Sequence, residues 1–196
     1  MKLIGITGYI GSGTSTVAKI LGFLGALIYD SDAAAKRLMH ENQDLIKALT
    51  DRFGKDIYDE KLCIRTEKLR QLVFGNEALR TALNNIVHPF VYLDFDDFKQ
   101  KNSEAEIIVF ESAILLKGSN YNQFHSIIFV TSQKKLLYSR IMQRSKLTKE
   151  LIDKILATQR VKLSDFNNNC IIRISNNEKH LLIPQIVKIF NSIKNL

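Results

Sequence analysis

A glycine-rich segment near the start of the chain limits the possible folds more than any other part of the sequence. From Gly8 to Ser15 the sequence reads GYIGSGTS. It follows an apolar run, Lys2–Thr7, that is typical of a buried parallel strand, and it leads into an amphipathic helical run, Thr14–Leu24. Glycines let such a loop aim successive backbone N–H groups at phosphate oxygens, and the helix adds its positive N-terminus. The segment therefore predicts a phosphate-binding loop, with a tight turn that binds no ligand as the alternative.

One position departs from the usual loop pattern of Gly, four residues, Gly, Lys and then Ser or Thr. Thr14 stands where the lysine is expected, whereas Ser15 keeps the hydroxyl that binds Mg²⁺. The lysine normally brings positive charge to the β- and γ-phosphates, while a threonine offers only a neutral hydrogen bond. Three interpretations stay open: another cation substitutes, the protein is a weak or inactive kinase, or the sequence has been altered here.

Strands and helices alternate along the chain, which predicts an α/β protein with a parallel sheet flanked by helices. After the first strand, apolar runs predict four more, at 26–29, 106–110, 126–130 and 170–174. The helical stretch between the second and third strands is too long for a simple crossover. Within it we expect helix breaks near Gly54, near Gly75 and at His88-Pro89, with Pro89 in the first turn of a new helix.

We therefore expect a single domain. Its core is predicted at 1–32, 102–139 and 169–196, with a helical subdomain at 33–101.

Carboxylates follow two of the predicted strands, and each leaves two interpretations open. Asp30 and Asp32 come after the second strand, so either could accept the proton of an attacking hydroxyl near the loop. Asp32 could equally cap the helix that begins with three alanines. Glu111 follows the third strand, where a carboxylate can hold Mg²⁺ through water or simply form a surface ion pair.

Charge and composition narrow the class of partner. The net charge is +8, but the basic residues are dispersed and not interleaved with aromatics, so solvated surface lysines explain the charge better than nucleic-acid binding does. Phosphorylated small molecules would also suit this charge. No apolar run approaches the length of a membrane span, so we expect no membrane partner. Cys63 and Cys170 have no metal-ligand spacing and are interpreted as free thiols in a reducing cytoplasm.

Taken in order along the chain, these features resemble the dephospho-CoA kinase family. The resemblance spans essentially the whole sequence, and it depends on the order and spacing of the motifs more than on any single one. The matching segments are the loop at 4–13, Asp30-Ser31-Asp32, His88-Pro89, Glu111, Arg140 to Arg144, Gln159 and Ile174 to Asn177.

The resemblance implies transfer of the ATP γ-phosphate to the ribose 3′-hydroxyl of dephospho-CoA, the last step of coenzyme A biosynthesis, with Mg²⁺. It also implies a single P-loop kinase domain in which the helical subdomain at 33–101 binds substrate and residues 140–168 form a lid. Asp32 would be the base, and Arg140 would meet the phosphates from the lid. The implied ATP-binding residues are Gly8, Gly11, Ser12, Gly13, Thr14, Ser15, Thr16, Arg144 and Asn176. The implied substrate-binding residues are Asp32, His88 and Glu111, and the implied metal ligands are Ser15 and Glu111.

Two other functions compete with this one. A pseudokinase would hold ATP or a CoA precursor without turnover, and Thr14 supports that hypothesis. A different P-loop kinase would act on a nucleoside or nucleotide, although His88-Pro89 and the long helical insertion favour the CoA family. The sequence leaves the oligomeric state open.

Overall fold

The computed structural model describes residues 1–117, 120–145, 147–163, 166 and 170–195. Its centre is a five-stranded sheet in the order β2-β3-β1-β4-β5, in which every neighbouring pair is parallel. The predicted α/β class and the five predicted strands are therefore confirmed. The strands are β1 (Lys2–Gly8), β2 (Leu27–Asp30), β3 (Ile107–Glu111), β4 (Ser126–Thr131) and β5 (Ile171–Ser175).

Eight α-helices lie between and after the strands in the described ranges. They are α1 (Thr14–Phe23), α2 (Ser31–Glu41), α3 (Gln43–Phe53), α4 (Thr66–Val73), α5 (Glu77–Lys101), α6 (Lys134–Arg144), α7 (Lys149–Thr158) and α8 (Leu182–Lys194). Within the part of the chain that the structure describes, none of the helices combines the length and the apolar composition that a membrane span requires.

The alternating side chains of β1 explain how the sheet is anchored. Ile4 and Ile6 are buried in one cluster with residues of α1 and α8, which cover that face of the sheet. Gly5 points to the opposite face, where an added Cβ would lie only 2.4 Å from Cδ2 of Leu115. Each large aliphatic side chain buried in this way contributes about 1.5–3 kcal/mol. The packing fixes β1, and with it the position of the glycine-rich loop that follows.

The chain divides into two compact units. The first comprises Met1–Asp30 and Ser103–Leu196 and contains the whole sheet. The second comprises Ser31–Asn102 and contains helices α2 to α5. The range predicted for a helical subdomain, 33–101, lies inside this second unit, and its role in binding substrate stays a prediction. Part of the predicted lid, at residues 146, 164, 165 and 167–168, lies outside the described residues.

The helix break predicted at Pro89 is wrong. Helix α5 runs unbroken from Glu77 to Lys101 with Pro89 in its interior. An interior proline removes one backbone hydrogen bond and costs about 3 kcal/mol. However, Val87, Val91 and Phe95 are buried around it, and α5 packs against α2, α3 and α4. Burial of several side chains outweighs the local cost, so the helix continues.

Candidate functional site

Two glycines of the loop adopt a backbone conformation that other residues rarely take. Gly11 has φ 79° and Gly13 has φ 97°, both in the left-handed region. The loop also has no room for a side chain at Gly13 or Gly8. A Cβ on Gly13 would lie 2.3 Å from the side-chain nitrogen of Asn176, and one on Gly8 would lie 2.5 Å from the carbonyl oxygen of Val130. The loop is closed by the amide of Ser12, which donates to the carbonyl of Tyr9 at 2.9 Å. The glycine spacing seen in the sequence is thus required by the backbone.

The inside of the loop is suited to an anion. Helix α1 begins at Thr14, its N-cap is Gly13, no side chain caps it, and no acidic residue stands in its first turn. First-turn amides have no acceptor within their own helix, so they attract negative groups. The Ser12 hydroxyl is fully buried and has no hydrogen-bond partner among the described residues. Because an unsatisfied buried hydroxyl is costly, a phosphate oxygen fits this loop well.

Thr14 does not restore the missing positive charge. Its methyl carbon Cγ2 would lie 3.2 Å from a Cβ on Gly8, so the side chain is turned towards the strand side of the loop. No lysine or arginine occurs between Gly8 and Thr16. A side-chain cation that contacts the β- and γ-phosphates of a bound nucleotide must therefore come from a segment outside the loop.

Ser15 and Glu111, the two residues predicted to bind metal, lie together at the carboxyl end of the sheet. The Ser15 hydroxyl donates to the Glu111 carboxylate at 2.8 Å. Glu111 ends β3, where it is the register partner of Ile6 in β1 and of Asp30 in β2. A hydroxyl and a carboxylate are the oxygen ligands that Mg²⁺ prefers, with water and phosphate completing its shell. The pair therefore fits a magnesium ion at the edge of the loop.

Arg140 reaches the loop from α6. Its Nη1 donates to the carbonyl oxygens of Gly11 and Asn176, each at 3.4 Å, and to the hydroxyl of Ser132 at 3.3 Å. All of these acceptors are neutral, and Arg140 forms no ion pair with any residue that the structure describes. Its guanidinium charge is therefore available to an anion bound at the loop.

Asn176 connects the end of β5 to the loop. Its side-chain NH₂ group donates to the carbonyl of Ser12 at 2.8 Å, and its backbone amide donates to the carbonyl of Thr131 at 2.8 Å. The structure thus brings together Asn176, Arg140 and the loop, all of which the sequence had suggested.

Two residues in the range predicted as a lid, Gln159 and Arg144, differ in how they relate to the loop. The side-chain oxygen of Gln159 accepts a hydrogen bond from the amide of Ile10 at 2.8 Å, so it braces the loop. Gln159 matches a family glutamine, but it had been given no role in the site. Arg144 is exposed at the end of α6, and no contact joins it to the loop within the described residues.

The remaining candidates, Asp32 and His88, belong to the second unit. Asp32 is exposed and is the second residue of α2, which begins at Ser31. The capping alternative requires Asp32 to precede the first residue of the helix, and it does not. Burial lowers the pKa of His88, and the negative charge of Asp32 opposes that shift. The carboxylate and a largely neutral imidazole therefore lie close enough to influence each other.

Replacing Gly13 with alanine tests whether this geometry serves nucleotide binding. We expect Gly13→Ala to abolish measurable ATP binding in a calorimetric titration, because the new Cβ would collide with Asn176 and open the loop. Gly25→Ala is the matched control, since Gly25 has φ 105° but nothing within 4 Å of its Cβ position. Both variants should lose about 1–2 kcal/mol of stability from the left-handed backbone. Equal ATP affinity in both variants would contradict the assignment of this loop as a nucleotide-binding site.

The family profile and the curated relatives indicate one family, and solved structures share its fold. The sequence profile of the dephospho-CoA kinase family matches residues 2–179. A dephospho-CoA kinase of Porphyromonas gingivalis is 32% identical over 99% of this chain and 95% of that protein. The crystal structure of TT1252 from Thermus thermophilus has a TM-score of 0.78 at 25% identity, covering 98% of this chain and 95% of that one. A dephospho-CoA kinase from Campylobacter jejuni shares the fold, with a TM-score of 0.64 at 23% identity over 100% of this chain and 98% of that one.

Proposed function

The chain belongs to the dephospho-CoA kinase family, and on this premise we propose that it transfers the γ-phosphate of ATP to the ribose 3′-hydroxyl of dephospho-CoA. The observation that carries the proposal is the set of groups around the loop. Within the described residues, the Ser12 hydroxyl is buried without a hydrogen-bond partner, Ser15 pairs with Glu111, and the Arg140 guanidinium forms no ion pair; all of these groups lie at the phosphate loop. Apart from the loop lysine, these are the kinds of group that bind a nucleoside triphosphate with Mg²⁺ in P-loop proteins.

In this proposal the loop and its neighbours hold the phosphate donor. The amides of Gly11, Gly13, Thr14 and Ser15 and the hydroxyl of Ser12 would bind phosphate oxygens, while the amides of Ser12 and Thr16 donate to carbonyls within the loop. Ser15 and Glu111 would hold Mg²⁺, which when bound neutralises charge on the β- and γ-phosphates. Gln159 keeps the loop closed through the amide of Ile10. Arg144 would join the nucleotide from the exposed end of α6.

The acceptor side of the reaction is assigned to the second unit. Asp32 would take the proton of the ribose 3′-hydroxyl as its oxygen bonds to the γ-phosphorus and the bond to ADP breaks. Its exposure in the first turn of α2 leaves the carboxylate accessible to a substrate. Burial lowers the pKa of His88, which favours its neutral imidazole, and this imidazole would form a hydrogen bond with the substrate beside Asp32.

Arg140 would replace the loop lysine in this mechanism. Phosphoryl transfer depends on positive charge placed at the phosphates, and Arg140 is the guanidinium that contacts the loop backbone. We assign the reaction to the cytoplasm, where the free cysteines Cys63 and Cys170 would stay reduced.

A pseudokinase is the second candidate, and Thr14 is the observation that favours it. Such a protein would use the same loop to bind ATP or a CoA precursor and would lack the charge needed for turnover. The two proposals differ in turnover alone, since both require nucleotide binding.

A substrate panel tests the proposed function. We expect ADP release from ATP and Mg²⁺ to depend on dephospho-CoA and to stay at background with nucleosides or nucleoside monophosphates. A coupled assay that measures ADP release, run with equal concentrations of each acceptor, provides the comparison. ADP release that depends on a nucleoside instead would indicate another class of P-loop kinase.

A further inference from the structure

Ser132 occupies a short connection at the carboxyl edge of the sheet, between the end of β4 at Thr131 and the start of α6 at Lys134. Its hydroxyl donates to the backbone oxygen of Asn176 at 2.8 Å and accepts from Nη1 of Arg140 at 3.3 Å. A serine hydroxyl has one donor and two acceptor sites, so both bonds can form at once. Ser132 therefore links the end of β5 to the guanidinium that lies at the phosphate loop.

The contacts of Arg140 show why this link matters. The guanidinium is held by hydrogen bonds of 3.3 and 3.4 Å, slightly longer than the usual range for N–H donors, so each of them is weak. Ser132 is the side chain among these acceptors, while the others are backbone carbonyls of Gly11 and Asn176. Several long hydrogen bonds together hold the guanidinium, so the removal of one of them should change its average position.

Asn176 does not depend on Ser132 to the same extent. Its side chain still donates to the carbonyl of Ser12, and its backbone amide still donates to Thr131, each at 2.8 Å. Removing the Ser132 hydroxyl should therefore leave Asn176 and the loop in place. The effect of that change is expected to fall on Arg140.

We propose that Ser132 is a positioning residue that holds Arg140 against the phosphate loop. The inference rests on the proposed function, in which Arg140 supplies the charge that the loop lacks at Thr14. A kinase with a loop lysine has two cations for the phosphates, and the position of one arginine then matters less. Here a displaced Arg140 would leave the phosphates without a fixed side-chain cation beside the Mg²⁺ that Ser15 and Glu111 would hold.

Four variants test this role: Ser132→Ala, Ser132→Thr, Arg140→Ala and the double variant Ser132→Ala/Arg140→Ala. We expect Ser132→Ala to lower kcat by roughly threefold to tenfold, the effect of one lost hydrogen bond, with KM for dephospho-CoA unchanged. Ser132→Thr keeps the hydroxyl and should restore most of kcat. In the Arg140→Ala background, Ser132→Ala should have no further effect, because the two residues act as one unit.

Ser145→Ala provides the matched control. Its hydroxyl also donates to a backbone carbonyl near an end of α6, that of Ile141 at 2.8 Å, and it makes no contact with Arg140. This variant should keep the native kcat. A kcat for Ser132→Ala equal to that of the native protein, or an undiminished Ser132→Ala effect without Arg140, overturns the proposal.

Binding measurements separate this inference from the proposed function. If the native protein forms no product, the proposed kinase activity fails, and the same variants are compared by titration with ATP and ADP. Positioning of Arg140 predicts that Ser132→Ala weakens ATP binding relative to ADP only when Arg140 is present. Where no turnover occurs, unchanged ATP and ADP affinities in Ser132→Ala overturn the positioning role.

Discussion

Replacing Asp32 with asparagine should lower kcat for dephospho-CoA phosphorylation by about 10²- to 10⁴-fold, the usual contribution of a general base. ATP affinity should be nearly unchanged, because a base that acts on the acceptor hydroxyl stabilises the transition state and not bound ATP. The asparagine keeps the size of the side chain and removes its ability to take a proton. Steady-state kinetics give kcat, and calorimetric titration gives the ATP affinity.

Asp44→Asn is the control for a purely structural effect. Asp44 is the second residue of α3, as Asp32 is of α2, and both carboxylates are exposed in the first turn of an 11-residue helix. Each should contribute about 0.3–1 kcal/mol through the helix dipole. The two variants should therefore lose similar stability, and only Asp32→Asn should lose turnover. A near-native kcat for Asp32→Asn would leave Asp32 with no more than that helix-dipole role.

Replacing Thr14 with lysine should raise kcat by about 10- to 1,000-fold, the scale of one preorganised contact to transition-state charge. Thr14 is the first residue of α1, so a lysine there would extend from the helix N-terminus beside the loop. Thr14→Met is the matched control, because methionine is similarly long and has no charge. A rise in kcat for Thr14→Met would mean that side-chain length or packing causes the effect, and it would contradict the charge argument.

Arg140→Ala connects this prediction to the site. In the native background it should remove most of the activity, since Arg140 is the cation that reaches the loop. In the Thr14→Lys background, Arg140→Ala should lower kcat by a smaller factor, because the lysine also places positive charge at the phosphates. A loss of equal size in both backgrounds would show that the two positive charges act independently.

Much of the site follows from local sequence patterns. The loop glycines were predictable because their spacing reflects a backbone that few other residues can adopt. Ser15 and Glu111 could be paired because parallel strands end at the same edge of a sheet, and Glu111 ends the strand beside β1. The five strands were predictable because buried parallel strands are continuous apolar runs.

Features that depend on packing between distant segments were not predictable in this way. The continuation of α5 through Pro89 depends on the side chains of Val87, Val91 and Phe95 being buried against other helices, which no local pattern reports. Ser132 carries no motif, and its role appears only when the ends of β4 and β5 lie side by side. The contact between Gln159 and Ile10 likewise joins residues far apart in sequence.

The most direct test is to incubate the unmodified protein, with Thr14 in place, with ATP, Mg²⁺ and dephospho-CoA and to identify the product. Mass spectrometry shows whether one phosphate has been added, and ³¹P NMR shows whether it is on the ribose 3′-oxygen. We expect 3′-phosphorylated product, formed slowly and faster by Thr14→Lys. ATP binding without phosphorylated product, in both the unmodified protein and Thr14→Lys, would contradict the kinase assignment and leave the pseudokinase.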